Sequence, residues 1–343
     1  MEVFKRFEAD DIAKANPAEV STGLWTSDTG SLTTFYTSST QTASDAGQHF
    51  FDVYHLHPLT ASTEVQFGVA YGHVDGYGAP ILADDDNALL PTKATYFQYR
   101  NILLEPDDTK FTFLEDSSGA NFDADEIFVI NIQRQRLKEK LDPGNWVLKL
   151  KSGSADVMSL IDDSGQTLGE NFGTSGRVFN VVSGSLTGVS GSTTALSTSV
   201  SGGFGLVYPD VGIIVLNPRA LFVSSASVET DTGTGSVLQN QKLLLDSIQL
   251  GVDFQARSAE DVSSTHYFVR LRNKEFNYSN NPSFYNSANG AIINTTFIQN
   301  PVVYVTTIGL YNDANELLAV AKLSQPFQKS FDREALIRVK LDW

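Results

Sequence analysis

Apolar residues in this chain recur mostly at every second position, in short runs broken by Gly, Asn, Asp and Ser. Val, Ile, Phe and Tyr supply most of these positions, and a period of two is the pleat of a β-strand with one buried face. The alternation predicts strands over Leu32–Thr37, Phe50–His57, Glu64–Tyr71, Glu126–Ile132, Trp146–Lys151, Arg177–Val182, Val211–Leu216, Gly251–Arg257 and His266–Arg272. Three more are predicted at the C-terminus: Val302–Tyr311, Glu316–Leu323 and Ala335–Leu341. Helical periodicity is scarcer. Ala9–Ala15 reads as a short helix stopped by Pro17, and Gln133–Leu141 as a charged turn or short helix closed by Asp142-Pro143-Gly144. Ser236–Leu250 places Leu238, Leu245 and Ile248 on one face, with Gly251 as a stop. The expected fold class is mostly β: a β-sandwich or sheet-rich domains with a few short helices.

The C-terminus is the clearest local unit. Two β-rich runs flank Asn312-Asp313-Ala314-Asn315, the composition of a hairpin turn. In the second arm Leu317, Ala319, Ala321 and Leu323 share one face, and Leu318 and Val320 the other, so the arm is expected to be covered on both sides. The final strand sets Ala335, Ile337, Val339 and Leu341 on one face and turns Arg338 and Lys340 to solvent or a partner. Residues 183–205 are rich in Ser, Thr and Gly, with Leu186, Val189, Leu196 and Val200 among them. The expected division is therefore an N-terminal β-rich domain over 1–182, a connecting ribbon over 183–205 and a C-terminal β-rich domain over 206–343.

Composition narrows the function. At 343 residues and 41% hydrophobic, the chain can bury a sizeable core. Apolar runs such as Gly212–Leu216 fall well short of the roughly 20 residues that cross a bilayer, so no membrane association is expected. The opening Met-Glu-Val-Phe-Lys-Arg-Phe-Glu-Ala-Asp-Asp has no apolar stretch behind its charges, and synthesis and maturation in the cytoplasm are expected. There is no cysteine, which removes disulfides and thiolate chemistry. Residues 1–250 carry 15 Lys+Arg against 31 Asp+Glu, whereas residues 251–343 carry 9 of each. A body this acidic repels phosphate backbones, so no nucleic-acid partner is expected. The neutral C-terminal quarter is better suited to docking.

Few motifs in the chain offer chemistry. His49, His55 and His57 have like parity, and with Asp52 or His73 could hold a divalent metal, although Pro58 marks a strand end there. Asp84-Asp85-Asp86-Asn87 fails the calcium-loop pattern, since Leu89 and Thr95 stand where Gly and Glu are needed. Gly72-His73-Val74-Asp75-Gly76-Tyr77-Gly78 lacks the spacing of a phosphate cradle and reads as a turn with φ > 0. Gly184-Ser185-Leu186-Thr187-Gly188 is not a nucleophile elbow, and the paired acids Asp123 with Asp125 and Glu126, or Asp162 with Asp163, are indistinguishable in sequence from surface carboxylates without a pocket to place them in. No catalytic, cofactor-binding or metal-ligating residue is assigned.

Several strings carry a resemblance: Ala94-Thr95-Tyr96-Phe97-Gln98-Tyr99-Arg100-Asn101, Phe179-Asn180-Val181-Val182-Ser183-Gly184 and Tyr208-Pro209-Asp210-Val211-Gly212-Ile213-Ile214. With Thr307–Asn312 and Glu316–Ala321, they resemble a family of virion structural proteins of contractile-tailed phages, especially marine cyanophage-type myoviruses. The hairpin is also similar to a strand pair of tail-fibre and baseplate attachment proteins. The resemblance implies a non-enzymatic virion component of the tail, baseplate or fibre attachment, assembled in the host cytoplasm with other virion proteins and forming a homo-oligomer or symmetric assembly. A head or neck protein is the alternative within that class. From another class, Tyr77, Tyr96, Tyr278 and Tyr285 as exposed loop aromatics would suit a carbohydrate-binding module for host recognition. The Ser/Gly/Thr ribbon and Asn277–Asn294 are the segments expected to make assembly contacts.

Overall fold

The alternating runs become strands that pair almost wholly in antiparallel fashion, in a computed structural model that describes residues 4–38, 50–78, 90–113, 122–153, 157–165, 171–185, 203–223, 230, 240–279 and 281–342. In chain order the first elements are β1 (Ile12–Lys14), β2 (Ala18–Gly23), β3 (Ser31–Leu32), β4 (Phe50–Tyr54) and β5 (Val65–His73). Then come α1 (Pro91–Leu103), β6 (Phe111–Phe113), β7 (Phe122–Ala124), β8 (Glu126–Ile132), α2 (Arg134–Leu137) and β9 (Lys140–Leu141). The middle of the chain gives β10 (Val147–Leu150), β11 (Met158–Asp162), β12 (Asn171–Gly173), β13 (Gly176–Ser183), β14 (Gly205–Tyr208) and β15 (Ile213–Leu216). It continues with α3 (Pro218–Val223), α4 (Asn240–Gly251), β16 (Phe254–Gln255), β17 (Arg257–Val262) and β18 (Ser264–Leu271). Last are α5 (Thr296–Gln299), β19 (Val302–Tyr311), β20 (Leu317–Ser330) and β21 (Ala335–Asp342). The mostly-β, sheet-rich fold class is thus what the chain adopts.

Two compact units divide at 19/20 and 260/261: unit 1 is residues 1–19 with 261–343, and unit 2 is residues 20–260. Unit 2 is an insertion between β1 and β18, which are themselves paired neighbours, Ala13 opposite His266 and Lys14 opposite Thr265. Neither boundary falls in the Ser/Gly/Thr-rich segment 183–205. That segment joins β13 to β14, adjacent antiparallel strands of one sheet in unit 2, with Val181 opposite Gly205. Residues 186–202, with Leu186, Val189, Leu196 and Val200, lie outside the described residues.

In unit 2 the large sheet runs β3-β16-β10-β11-β13-β14-β15-β8-β5-β4. The chain beyond β3 then closes it, because Tyr36 bridges Tyr54 on β4 at the far edge. A sheet that returns on itself has an inside, and one alternate set of side chains fills it: Phe128, Ile130 and Ile132 on β8, Val207 on β14, and Ile214 and Leu216 on β15. Leu244, Leu245 and Ile248 of α4 join this core. Trp25, Phe67 and Phe254 meet at ring distances of 4.9–5.9 Å beside the closure. The Trp25 indole N–H donates to the Phe254 carbonyl at 2.8 Å, so burying the ring leaves no donor unpaired. The opposite set, Ile127, Val129, Ile213 and Val215, is covered by Tyr96, Tyr99 and Leu103 of α1. Gly72 lets α1 approach, since a Cβ there would lie 2.8 Å from the Tyr96 backbone nitrogen.

Two local expectations are corrected. Ala9–Asp11 is a single 3₁₀ turn and Ile12–Lys14 is strand, not helix. Glu8 and Asp11 cap each other reciprocally, and one turn is too short to outcompete pairing with β18. The helix Pro91–Leu103 was not expected. Aromatic residues of modest helix propensity fill it, yet Pro at its first position and buried Thr92, Tyr96, Tyr99 and Leu103 spaced four, three and four apart are helix signals.

Unit 1 has two small sheets. One is β1-β18-β21 and the other is the β19–β20 hairpin. Ile308, Leu310, Ala319 and Ala321 of the hairpin face Phe7, Tyr267, Val269, Ile337, Val339 and Leu341. Arg338 and Lys340 are exposed, as their parity predicts.

Candidate assembly surface

Unit 1 buries little and exposes much. Among its described residues, only Leu271, Ile308, Leu310 and Val339 are buried hydrophobic side chains. Eleven large apolar side chains are exposed: Phe4, Ile12, Ile293, Ile298, Tyr304, Tyr311, Leu317, Leu318, Val320, Phe331 and Leu336. Among the described residues of unit 2 the balance is inverted, with 47 buried hydrophobic side chains and 12 exposed large apolar ones. At roughly 1.5–3 kcal/mol for each fully buried large apolar side chain, four such residues are a thin core for about a hundred residues.

The hairpin shows where the exposed surface comes from. Register pairs Ile308 with Ala321 and Leu310 with Ala319, which puts these four against the β1-β18-β21 sheet. The other face then presents Leu318, 67% exposed, and Val320, 58% exposed. The expectation that this arm is covered on both sides is met on one side only: Leu318 and Val320 are open.

Between β18 and β19 the chain makes an excursion over 272–301. Its asparagines hold turns: the side-chain carbonyls of Asn281, Asn286, Asn289 and Asn294 each accept an N–H two residues on, from Ser283, Ala288, Ala291 and Thr296. Phe284 packs edge-on against Phe297 at 4.6 Å and Tyr278 at 5.2 Å. The excursion is tied to β20 by Lys329, whose fully buried ammonium donates to the carbonyls of Asn273 at 2.8 Å and Ser330 at 2.9 Å and to Asn277 Oδ1 at 2.8 Å. Burial pushes the Lys329 pKa down from the usual lysine value. A second tie is Lys5, which donates to the Arg270 carbonyl and to Glu275, each at 2.7 Å. That lysine holds the Glu275 carboxyl below its ordinary value.

The residues weighed for chemistry are scattered through unit 2. His55 and His57 lie in the bend after β4, whereas His73 is at the far end of β5, opposite Glu126. Desolvation pushes the His73 pKa down. His49 and Asp84-Asp85-Asp86 lie outside the described residues, and among the described residues no group of three His, Asp or Glu side chains is placed to hold a metal. Gly76 and Gly78 have φ of 87° and 81°, the turn geometry expected of that stretch. Ser185 follows β13, and Leu186, Thr187 and Gly188 lie outside the described residues.

The acids separate as well. Asp125 pairs with Lys110 at 2.5 Å on the surface, and Asp123 accepts the Thr112 hydroxyl at 2.9 Å. Glu126 is buried and accepts the Tyr71 hydroxyl at 2.8 Å. Asp162 is buried and accepts from Gly144 N–H, Ser164 N–H and the Trp146 indole. Its neighbour Asp163 accepts the backbone and side-chain N–H of Asn180, both at 2.9 Å. The alternation of β11 puts the two on opposite sides. Tyr96 is a correction of another kind: it is fully buried on the inner face of α1, donates to the Ala124 carbonyl at 2.7 Å and has its pKa pushed up to about 12 by desolvation. Tyr77 is exposed but lies on His73 at 5.0 Å, and Tyr278 and Tyr285 are half-buried in the excursion cluster. No family model, curated protein or solved structure matches this chain.

Proposed function

We propose that this chain is a virion structural protein of a contractile-tailed phage that works by protein–protein assembly, with unit 1 presenting the contact surface. The observation that carries the assembly part is the imbalance in unit 1, which exposes eleven large apolar side chains and buries four. Exposed apolar surface on a module with a thin core is the signature of a partner interface. Charge agrees. Unit 1 holds 11 Lys+Arg against 12 Asp+Glu, and unit 2 holds 13 against 28, so the surface with uncovered apolar groups is also the nearly neutral one. The phage assignment, at the tail, baseplate or fibre attachment, rests on the resemblance of the hairpin and of the strings in unit 2. In this reading the protein has no catalytic role: Asp123, Asp125, Glu126, Asp162 and Asp163 are spent on structural hydrogen bonds and ion pairs. Its partners are other virion proteins and further copies of itself.

Mass spectrometry of purified particles, split into heads and tails, tests the assignment. Enrichment with tails, in a copy number matching threefold or sixfold symmetry, is the expected result. Presence in heads alone moves the protein to the head or neck, and absence from particles removes the virion reading.

A further inference from the structure

Among the described residues Lys329 is the only charged side chain with no exposed surface at all. Lys5, Lys110, Lys149 and Lys242 each meet a carboxylate. Lys329 does not. Its three hydrogen-bond acceptors are neutral: the carbonyls of Asn273 and Ser330 and the side-chain oxygen of Asn277. Burial without a counter-ion in contact shifts a lysine towards its neutral amine, and desolvation moves Lys329 in that direction against the opposing charges of Glu275 and Glu334. A neutral amine is a nucleophile, and an ammonium is not. The group it touches is an electrophile. Asn277 is itself buried, and its Oδ1, one bond from the amide carbon, lies 2.8 Å from Lys329 Nζ. The orientation of that amide is fixed, because Asn277 Nδ2 donates to the Asn273 carbonyl at 2.6 Å.

Nζ is thus held against the carbonyl side of the amide, and fixing two reactants side by side removes much of the entropic barrier to their joining. Glu275 and Glu334 are close enough for their charge to act on Nζ, so carboxylates able to carry a proton are at hand. We propose that Lys329 and Asn277 join in an intramolecular isopeptide bond. Nζ forms a bond to Cγ of Asn277, the Cγ–Nδ2 bond breaks, and the proton that the amine gives up passes to Nδ2, which leaves as ammonia. Nothing is oxidised or reduced, and no co-reactant is consumed. The hydrogen-bonded pair is the reactant state of this step. The bond fastens the excursion to β20 between residues 52 positions apart, and closing such a loop restricts the unfolded chain. In a chain without cysteine it is a covalent tie by another route, in the unit whose core is thin. The inference goes beyond the assembly reading and does not depend on it.

Mass spectrometry of the full-length folded chain tests it. The intact mass is expected to lie below the mass of the sequence by one ammonia. Trypsin should then find no free Lys329 to cleave after, and residues 275–322 should be recovered joined to 323–333 as one branched peptide. Asn277→Ala should show the full mass of its own sequence and return 275–322 and 323–329 as separate peptides. On a denaturing gel the wild type should run ahead of Asn277→Ala, because its unfolded chain is looped. A wild type with the full mass and separate peptides overturns the proposal. So does a loss of ammonia with Lys329 still cleaved, since the ammonia has then left another amide, such as that of Asn289 before Gly290. Both results are read from the wild type, so they decide the matter even where Asn277→Ala does not fold.

Discussion

Asp162 and Asp210 are both held by N–H donors in unit 2, yet their acidities move in opposite directions. For Asp162, burial dominates and raises the carboxyl pKa, even against the donors Gly144, Ser164 and Trp146, because no cation is among them. For Asp210, burial also pushes upward, but the backbone and guanidinium of Arg177 overrule it and hold the carboxyl below its ordinary value. The signs for stability follow. A raised carboxyl pKa favours folding at low pH, and that contribution is lost as pH rises through the raised value. A lowered one contributes above the ordinary carboxylate value of about 4, and that contribution is lost as pH falls through the lowered value. Asp210→Asn should therefore cost about 1 kcal/mol at neutral pH, a modest figure because the ion pair is partly exposed, and should flatten the loss of stability on the acid side. Denaturant midpoints measured across acid pH check this; an unchanged acid slope would count against it. None of it was legible in the string Asp162-Asp163. Alternation puts neighbours on opposite faces, but which face is buried is decided by strands distant in sequence.

Among the elements, β8 and β19 have the residues their alternation predicts, Glu126–Ile132 and Val302–Tyr311. Such runs are legible because a period of two, bounded by turn residues, has few competing readings. α1 has no counterpart among the predicted elements, and Tyr96 reads there as a loop aromatic, although the buried spacing of Tyr96, Tyr99 and Leu103 belongs to a helix. Four asparagine side chains of the excursion serve their own turns, a local role that composition alone does not single out. One of the ties that order that excursion from outside is Lys329, and nothing in the sequence distinguishes this lysine from a solvated one. Replacing it with Met keeps the length of the side chain and removes three donated hydrogen bonds. Lys329→Met should cost about 1–3 kcal/mol through acceptors left unpaired. Hydrogen exchange should speed up across 272–301 and leave β5 and β8 protected. Uniform loss of protection across the chain would show that the lysine does not act locally.

At the scale of the whole chain, the charge asymmetry was legible from composition, but its structural meaning was not. The neutral C-terminal quarter becomes a unit only when residues 1–19 return to it through β1, a pairing that spans the entire insertion. Local composition cannot reveal contacts at that separation. Once the units are drawn, burial divides with charge: unit 2 is acidic with a full core, and unit 1 is nearly neutral with its apolar groups uncovered. That division is the basis for placing assembly at unit 1. Cross-linking of lysines in intact particles, read by mass spectrometry, tests it directly. Unit 1 offers Lys5, Lys14, Lys274, Lys322 and Lys340, and unit 2 offers Lys93, Lys110, Lys138, Lys149 and Lys242. The expected result is that links to neighbouring subunits fall mainly on the unit 1 lysines; links concentrated on those of unit 2 would contradict the assignment of assembly to unit 1.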